Sequence, residues 1–351
     1  MPRVVGIDPG TVTIDVCGLD DGRLTLDRSW PTGEAVGDPE QVEAYLRSAG
    51  EPDLVVAPSG YGLPLVPAAR ADEAAWRLAF LAPPGETGGI GGLRGLARRL
   101  ARSGLELMFL PGVIHLDTVP EHRKLNRVDL GTADKLCAAA LAVAEQAERR
   151  GCAPEEVSLI LLELGGAFTA ALAVEGGRIV DGVGGSSGPL GWRAAGALDG
   201  EVAFLAGTVT KAMLFTGGVE TIAAADPRRR PVALEAWLEG AVKAVHALRV
   251  SAPSAAAVML SGRHAADPAV RDRLAERLGP GLEVVPLRGF ARVAKQGAQG
   301  AALLADGLAG GRHAPLVNAL RLRNACGSVL DHLFVLAPAD ARRRLGLPSD
   351  G

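Results

Sequence analysis

The chain has 351 residues, a formal net charge of -3, 48% hydrophobic residues and 22% charged residues. This length exceeds what one hydrophobic core usually holds and predicts two domains, and the composition excludes a disordered chain. The slightly acidic balance excludes the strong positive field that holds a phosphate backbone, so no nucleic-acid partner is expected.

Residues 3–8, 12–19 and 22–29 read as three short strands. Asp8-Pro9-Gly10 and Asp20-Asp21-Gly22, both strong turn formers, join them into a meander. An opening that runs directly into Arg3-Val4-Val5-Gly6-Ile7-Asp8 leaves no room for a signal peptide. Apolar runs such as 159–164 fall well short of the ~20 residues of a membrane span, so a cytoplasmic protein with no membrane partner is expected. The four cysteines, Cys17, Cys137, Cys152 and Cys326, form no CxxC or Cys/His cluster, which argues against disulfides and against zinc or iron-sulfur sites.

Asp38-Pro39 starts a helix that covers 41–49, and 53–57 returns as a buried strand. Residues 60–112, broken by Pro64, Pro67, Pro83, Pro84 and the glycine run 85–95, read as an insertion with a mobile loop and a helix at 96–102. A helix over 132–150 stops at Gly151, and the domain boundary is set at 153/154.

Beyond Pro154 the chain repeats its opening: a strand at 158–162, the turn Gly165-Gly166, a strand at 168–174, the turn Glu175-Gly176-Gly177 and a strand at 178–183. A repeat at about 155 residues is a duplicated domain rather than a solenoid, and two equivalent halves usually enclose one cleft. A helix at 232–250, a strand at 256–260, a helix at 268–278 and a strand at 282–286 follow. The last predicted helix, 295–308, carries Gly297, Ala298, Gly300, Ala301 and Ala302, small residues that suit close approach.

Three motifs carry chemistry. Val5-Gly6-Ile7-Asp8-Pro9-Gly10-Thr11 is a strand ending in a carboxylate, then a glycine turn whose amides can hold phosphate oxygens while Asp8 acts on metal-bound water. Leu162-Glu163-Leu164-Gly165-Gly166-Ala167-Phe168-Thr169 repeats that pattern in the second half. Val258-Met259-Leu260-Ser261-Gly262-Arg263 is a buried strand ending in Ser-Gly. There is no GxxxxGK[ST], so the chain is not a Walker-A enzyme.

In order and spacing these motifs resemble the phosphate 1, phosphate 2 and adenosine motifs of the actin-like ATPase superfamily, which includes actin, heat-shock ATPases, sugar kinases and acetate kinases. The resemblance implies an α/β fold of two duplicated ribonuclease-H-like domains closing on ATP and Mg2+. Asp8 and Glu163 would stand around the metal. Gly6, Gly10, Thr11, Gly165, Gly166 and Thr169 would serve the phosphates, and Ser261, Gly262 and Arg263 the adenosine. Glu163 stands where that superfamily usually has Asp, and Arg263 replaces the commoner second glycine. Residues 134–144 and 296–307 lie where its two connecting helices should be.

Ile179-Val180-Asp181-Gly182, Gly188-Pro189 and Arg193 to Leu198 are similar to the region after phosphate 2 in acetate and butyrate kinases. Nearly the whole chain resembles archaeal and bacterial proteins labelled predicted butyrate kinases. A phosphotransferase acting on a small organic acid is what this implies; a homodimer is a further expectation. An anionic acceptor needs no general base but does need cations, for which Arg123, Arg127 and Arg193 are the candidates. Asp181 is the candidate base should the acceptor be a hydroxyl. The alternatives are a nucleotide-switched regulatory ATPase and, because Gly6 to Gly10 also looks like the first strand of Holliday-junction resolvases, a ribonuclease-H-fold nucleic-acid enzyme.

Overall fold

The computed structural model describes residues 2–10, 12–58, 60–84 and 90–348. The first half opens with β1 (Arg3–Pro9), β2 (Thr13–Asp20) and β3 (Arg23–Pro31), an antiparallel meander. β4 (Leu54–Pro58) then joins β1 in parallel, β5 (Val66–Pro67) forms an edge, and β6 (Leu107–Leu110) lies parallel to β4. The second half repeats the plan. β7 (Leu159–Leu164), β8 (Thr169–Glu175) and β9 (Arg178–Val183) form the meander, β10 (Ala257–Ser261) runs parallel to β7, and β11 (Glu283–Pro286) parallel to β10. Sheet orders β3-β2-β1-β4-β6-β5 and β9-β8-β7-β10-β11 show the duplication directly.

Strand alternation sorts the core into three layers. Val5, Ile7, Ile14 and Val16 face an outer layer with Trp76, Phe80 and Leu100, whereas Ile160, Leu162, Val258 and Leu260 face another with Trp237, Val245 and Leu274. The opposite faces, carrying Val4, Cys17, Leu159, Leu161 and Met259, meet in a central layer built on two helices. The first connecting helix (Ala133–Arg150) ends at Gly151, whose φ of 61° supplies the left-handed stop. The second (Gln296–Leu308) crosses β1 so closely that a Cβ on Gly6 would lie 2.2 Å from the Ala302 amide nitrogen. A Cβ on Gly300 would lie 1.8 Å from the carbonyl oxygen of Cys137 in the first connecting helix. The small residues of 296–308 therefore let two helices and a sheet share the hinge layer.

The stretch 60–112, expected to be an insertion, contributes to the fold itself: β6 completes the parallel part of the first sheet, and a helix at Glu73–Phe80 covers its outer face. Of the glycine run expected to be a mobile loop, residues 85–89 lie outside the described residues and Ile90–Arg102 is a helix. Residues beyond the second connecting helix return to the first half. Arg77 donates to the Leu345 and Gly346 carbonyls, and the Cys326 amide donates to the His115 carbonyl.

Candidate functional site

The register that puts Val4 in the central layer also puts Gly6 and Asp8 there, at the end of β1. The register of β7 and β10 does the same for Glu163 and Ser261, which are partners across those strands. Asp8 is buried, and a Cβ on Gly297, in the first turn of the second connecting helix, would lie 2.6 Å from its Oδ2. Asp134 and Lys135, in the first turn of the first connecting helix, complete the group. The Lys135 ammonium lies 2.5 Å from Asp134 Oδ2 and 2.6 Å from Glu163 Oε1, joining the first half to the second. Thr132 Oγ1 donates to the other Asp134 oxygen at 2.5 Å.

Another ammonium stands nearer the surface. Asp27, on β3, accepts from the amides of Arg292, Val293 and Ala294, and the buried Asp15, on β2, accepts from the Lys295 amide. The meander thereby fixes the start of the second connecting helix. The Lys295 side chain, 48% exposed, folds back to donate to Thr13 Oγ1 and lies 3.3 Å from Asp15 Oδ2; a Cβ on Gly10 would be 3.6 Å from its Nζ. Its charge favours the ionised forms of both Asp8 and Glu163.

Four carboxylates, Asp8, Asp15, Asp134 and Glu163, against two ammonium groups leave a formal charge of two minus. Burial, then Asp134 and Asp15, push the Asp8 carboxyl up to about 7 against the pull of Lys295 and Lys135. Burial also raises Glu163 in spite of Lys135. Asp134, half-buried, is held low by the Lys135 ammonium and the Thr132 hydroxyl, and Lys135 is held charged by both its carboxylates. Oxygen donors with excess negative charge at Asp8 fit a hard divalent cation such as Mg2+. Among the described residues no three His, Cys, Asp or Glu side chains could hold a metal on their own, so nucleotide oxygens would have to complete its shell.

The other sequence candidates are distributed unevenly. In the second turn the Gly165 amide closes the hairpin on the Phe168 carbonyl at 3.0 Å, which leaves the Gly166 and Ala167 amides without an acceptor in the chain. Gly262, at φ 89°, brings the end of β10 under that turn, where a Cβ would lie 2.6 Å from the Leu164 carbonyl oxygen; Arg263 Cδ lies 3.9 Å from the Cβ position of Gly166. Ser261 Oγ is buried without a partner. Arg193 is tied to the same turn, its amide donating to the Ala167 carbonyl at 3.0 Å, while Trp192 stacks on His264 behind it. Thr11 lies outside the described residues.

Four candidates face elsewhere. Gly6 lies beneath the second connecting helix, where its lack of a side chain is a packing requirement. Thr169 is fully buried and accepts from the Trp237 indole at 2.9 Å, which ties its side chain to the interior of the second half. Arg123 donates to the Val180 carbonyl at 2.8 Å and lies 3.7 Å from Asp181, opposite Ala173 and so four residues along β8 from Thr169; Arg127 is exposed. The two lysines were missed because neither belongs to a turn motif. The signal for Lys295 is its place at the start of a helix of small residues, and for Lys135 its place beside Asp134 at the start of the other.

The model of a family described as protein of unknown function (DUF1464) matches residues 6–335. The chain belongs to this DUF1464 family. No curated protein matches the sequence. Among solved structures, this DUF1464 chain is similar to the acetate kinase of Porphyromonas gingivalis, with 14% identity and a TM-score of 0.58 over 86% of this chain and 98% of that one. It is also similar to a propionate kinase from Francisella tularensis, with 11% identity and a TM-score of 0.60 over 86% and 99%. The acetate kinase of Entamoeba histolytica gives 10% and 0.57 over 81% and 95%. At such identities the likeness shows the fold: this DUF1464 protein has the duplicated two-domain architecture of the actin-like ATPase superfamily.

Proposed function

We propose that this protein is a Mg-ATP-dependent phosphotransferase whose acceptor is a short-chain carboxylic acid, of the size of butyrate. One observation carries the reading: each half contributes a strand-end carboxylate followed by a glycine turn, Lys135 joins the two halves beside them, and the Lys295 ammonium lies over the first turn. The Gly166 and Ala167 amides, with Gly10 opposite, suit phosphate oxygens, and Ser261, Gly262 and Arg263 border the second turn where adenosine would pass. Asp8 would hold Mg2+ together with nucleotide oxygens. The ion, when bound, neutralises phosphate charge.

The choice of acceptor follows from the bases. Asp181, the candidate for deprotonating a hydroxyl, already accepts from Ser251 Oγ at 2.6 Å and the Gly182 amide at 2.8 Å. Asp129 accepts from the Gly131 amide and from the amide and hydroxyl of Ser186. An acid arrives as an anion and needs no base. Its oxygen attacks the γ-phosphorus as the bond to the bridging oxygen of ADP breaks, giving acyl phosphate and ADP. Lys295 and Arg193, the latter with no hydrogen bond or ion pair from its guanidinium among the described residues, can screen the approach of two anions.

Purified protein incubated with Mg-ATP, hydroxylamine and a series of straight-chain acids should form hydroxamate in proportion to ADP, with a maximum at one short chain length. Acid-independent ATP hydrolysis would instead favour a nucleotide-driven switch. Turnover only with alcohols or sugars would reject the acceptor assignment.

A further inference from the structure

We propose that Lys135 is a tethered cation: its ammonium fills the seat between Asp134 and Glu163, so the carboxylate of the second turn is neutralised by the chain itself and is not a metal ligand. The seat has the makings of a cation site. Asp134 Oδ2 and Glu163 Oε1 approach one point at 2.5 and 2.6 Å, each from a different half. A free cation there would have to be captured anew at each closure. An ammonium carried on the first turn of the first connecting helix is always present and links that helix to β7 at the hinge.

The arrangement also explains why Glu is accommodated where Asp would be expected. The side chain of Glu163 reaches from the strand end to a cation held on the helix. A divalent ion is then left to the Asp8 side of the site, in keeping with the residual formal charge of two minus. Charge balance at the hinge does not depend on the acceptor. Its test therefore uses neither nucleotide nor acid, and its failure would leave the phosphotransferase reading standing.

Without Lys135, two half-buried carboxylates face each other without the cation between them, which is destabilising. The Lys135→Ala protein should melt well below the native one and should recover by about 5 °C or more as ammonium chloride is titrated in. Tetramethylammonium chloride, a bulkier cation without N–H donors, should not reproduce this at equal ionic strength. Neither native protein nor Lys135→Met, in which a methionine side chain occupies the seat, should distinguish the two salts. Equal responses of Lys135→Ala to both salts would overturn the proposal. If Lys135→Ala does not fold, the double variant Lys135→Met/Glu163→Gln decides: it should regain most of the stability that Lys135→Met loses, and no gain would reject the tethered cation.

Discussion

Replacing Asp8 by Asn lowers turnover by about two to three orders of magnitude while making the nucleotide-free protein more stable at pH 8. The loss follows from replacing the anionic oxygen donor best placed for the metal at the first turn by a neutral amide. The gain follows from the cost of keeping that group ionised: Asp8 is buried beside Asp134 and Asp15, and its carboxyl is pushed from 3.8 in the ordinary state up to about 7. Between those values the folded protein holds a proton that the unfolded chain has released. Stability from this group is therefore complete below the unfolded value near 4 and is lost as pH rises through 7. Asparagine removes the loss, so the advantage of the variant should amount to a few kcal/mol at pH 8 and should vanish toward pH 4. Melting curves at both pH values, with turnover measured alongside, check the two effects together. An Asn variant that keeps turnover, or that is no more stable at pH 8, contradicts the assignment.

Replacing Lys295 by Met lowers kcat/KM by about two orders of magnitude and moves the melting temperature of the nucleotide-free protein by only a few degrees. The side chain is half exposed, and Asp15 keeps the Thr13 hydroxyl at 2.7 Å and the Lys295 main-chain amide, which any residue at that position supplies. What disappears is positive charge over the first glycine turn, where two anions must approach each other. Lys295→Arg, which keeps the charge on a wider head, should retain more activity than Met. A Met variant with native kcat/KM would place phosphate neutralisation on Arg193 and Arg263 instead.

The duplicated fold was legible because its signals are local. Two carboxylate-glycine turns, each followed by a hairpin turn, announce the paired meanders, and the apolar run in 159–164 gives the buried strand. Gly297, Gly300, Ala301 and Ala302 announced close packing but not its partners, which are β1 and the Cys137 carbonyl. The strand at 107–110 was hidden behind prolines and glycines that describe its surroundings rather than itself. Of the site, the strand-end carboxylates and the Gly262 turn could be read from spacing, because fixed backbone geometry carries them. The cations could not. A run of basic residues around Arg123 draws attention, yet Asp181 and the Val180 carbonyl claim that guanidinium, while single lysines at two helix starts reach the cleft only through the fold. A long side chain's target is set by what packs beside it, and one sequence does not show that.

The most direct test follows the acceptor's oxygen. Turnover with an acid labelled with 18O in both carboxylate positions, in the presence of Mg-ATP and hydroxylamine, should release inorganic phosphate carrying one labelled oxygen for each hydroxamate formed. The acid oxygen that attacks the γ-phosphorus leaves with it when hydroxylamine displaces phosphate from the acyl carbon. Unlabelled phosphate accompanying ADP would mean that water took the phosphoryl group, and the carboxylic-acid acceptor would be wrong.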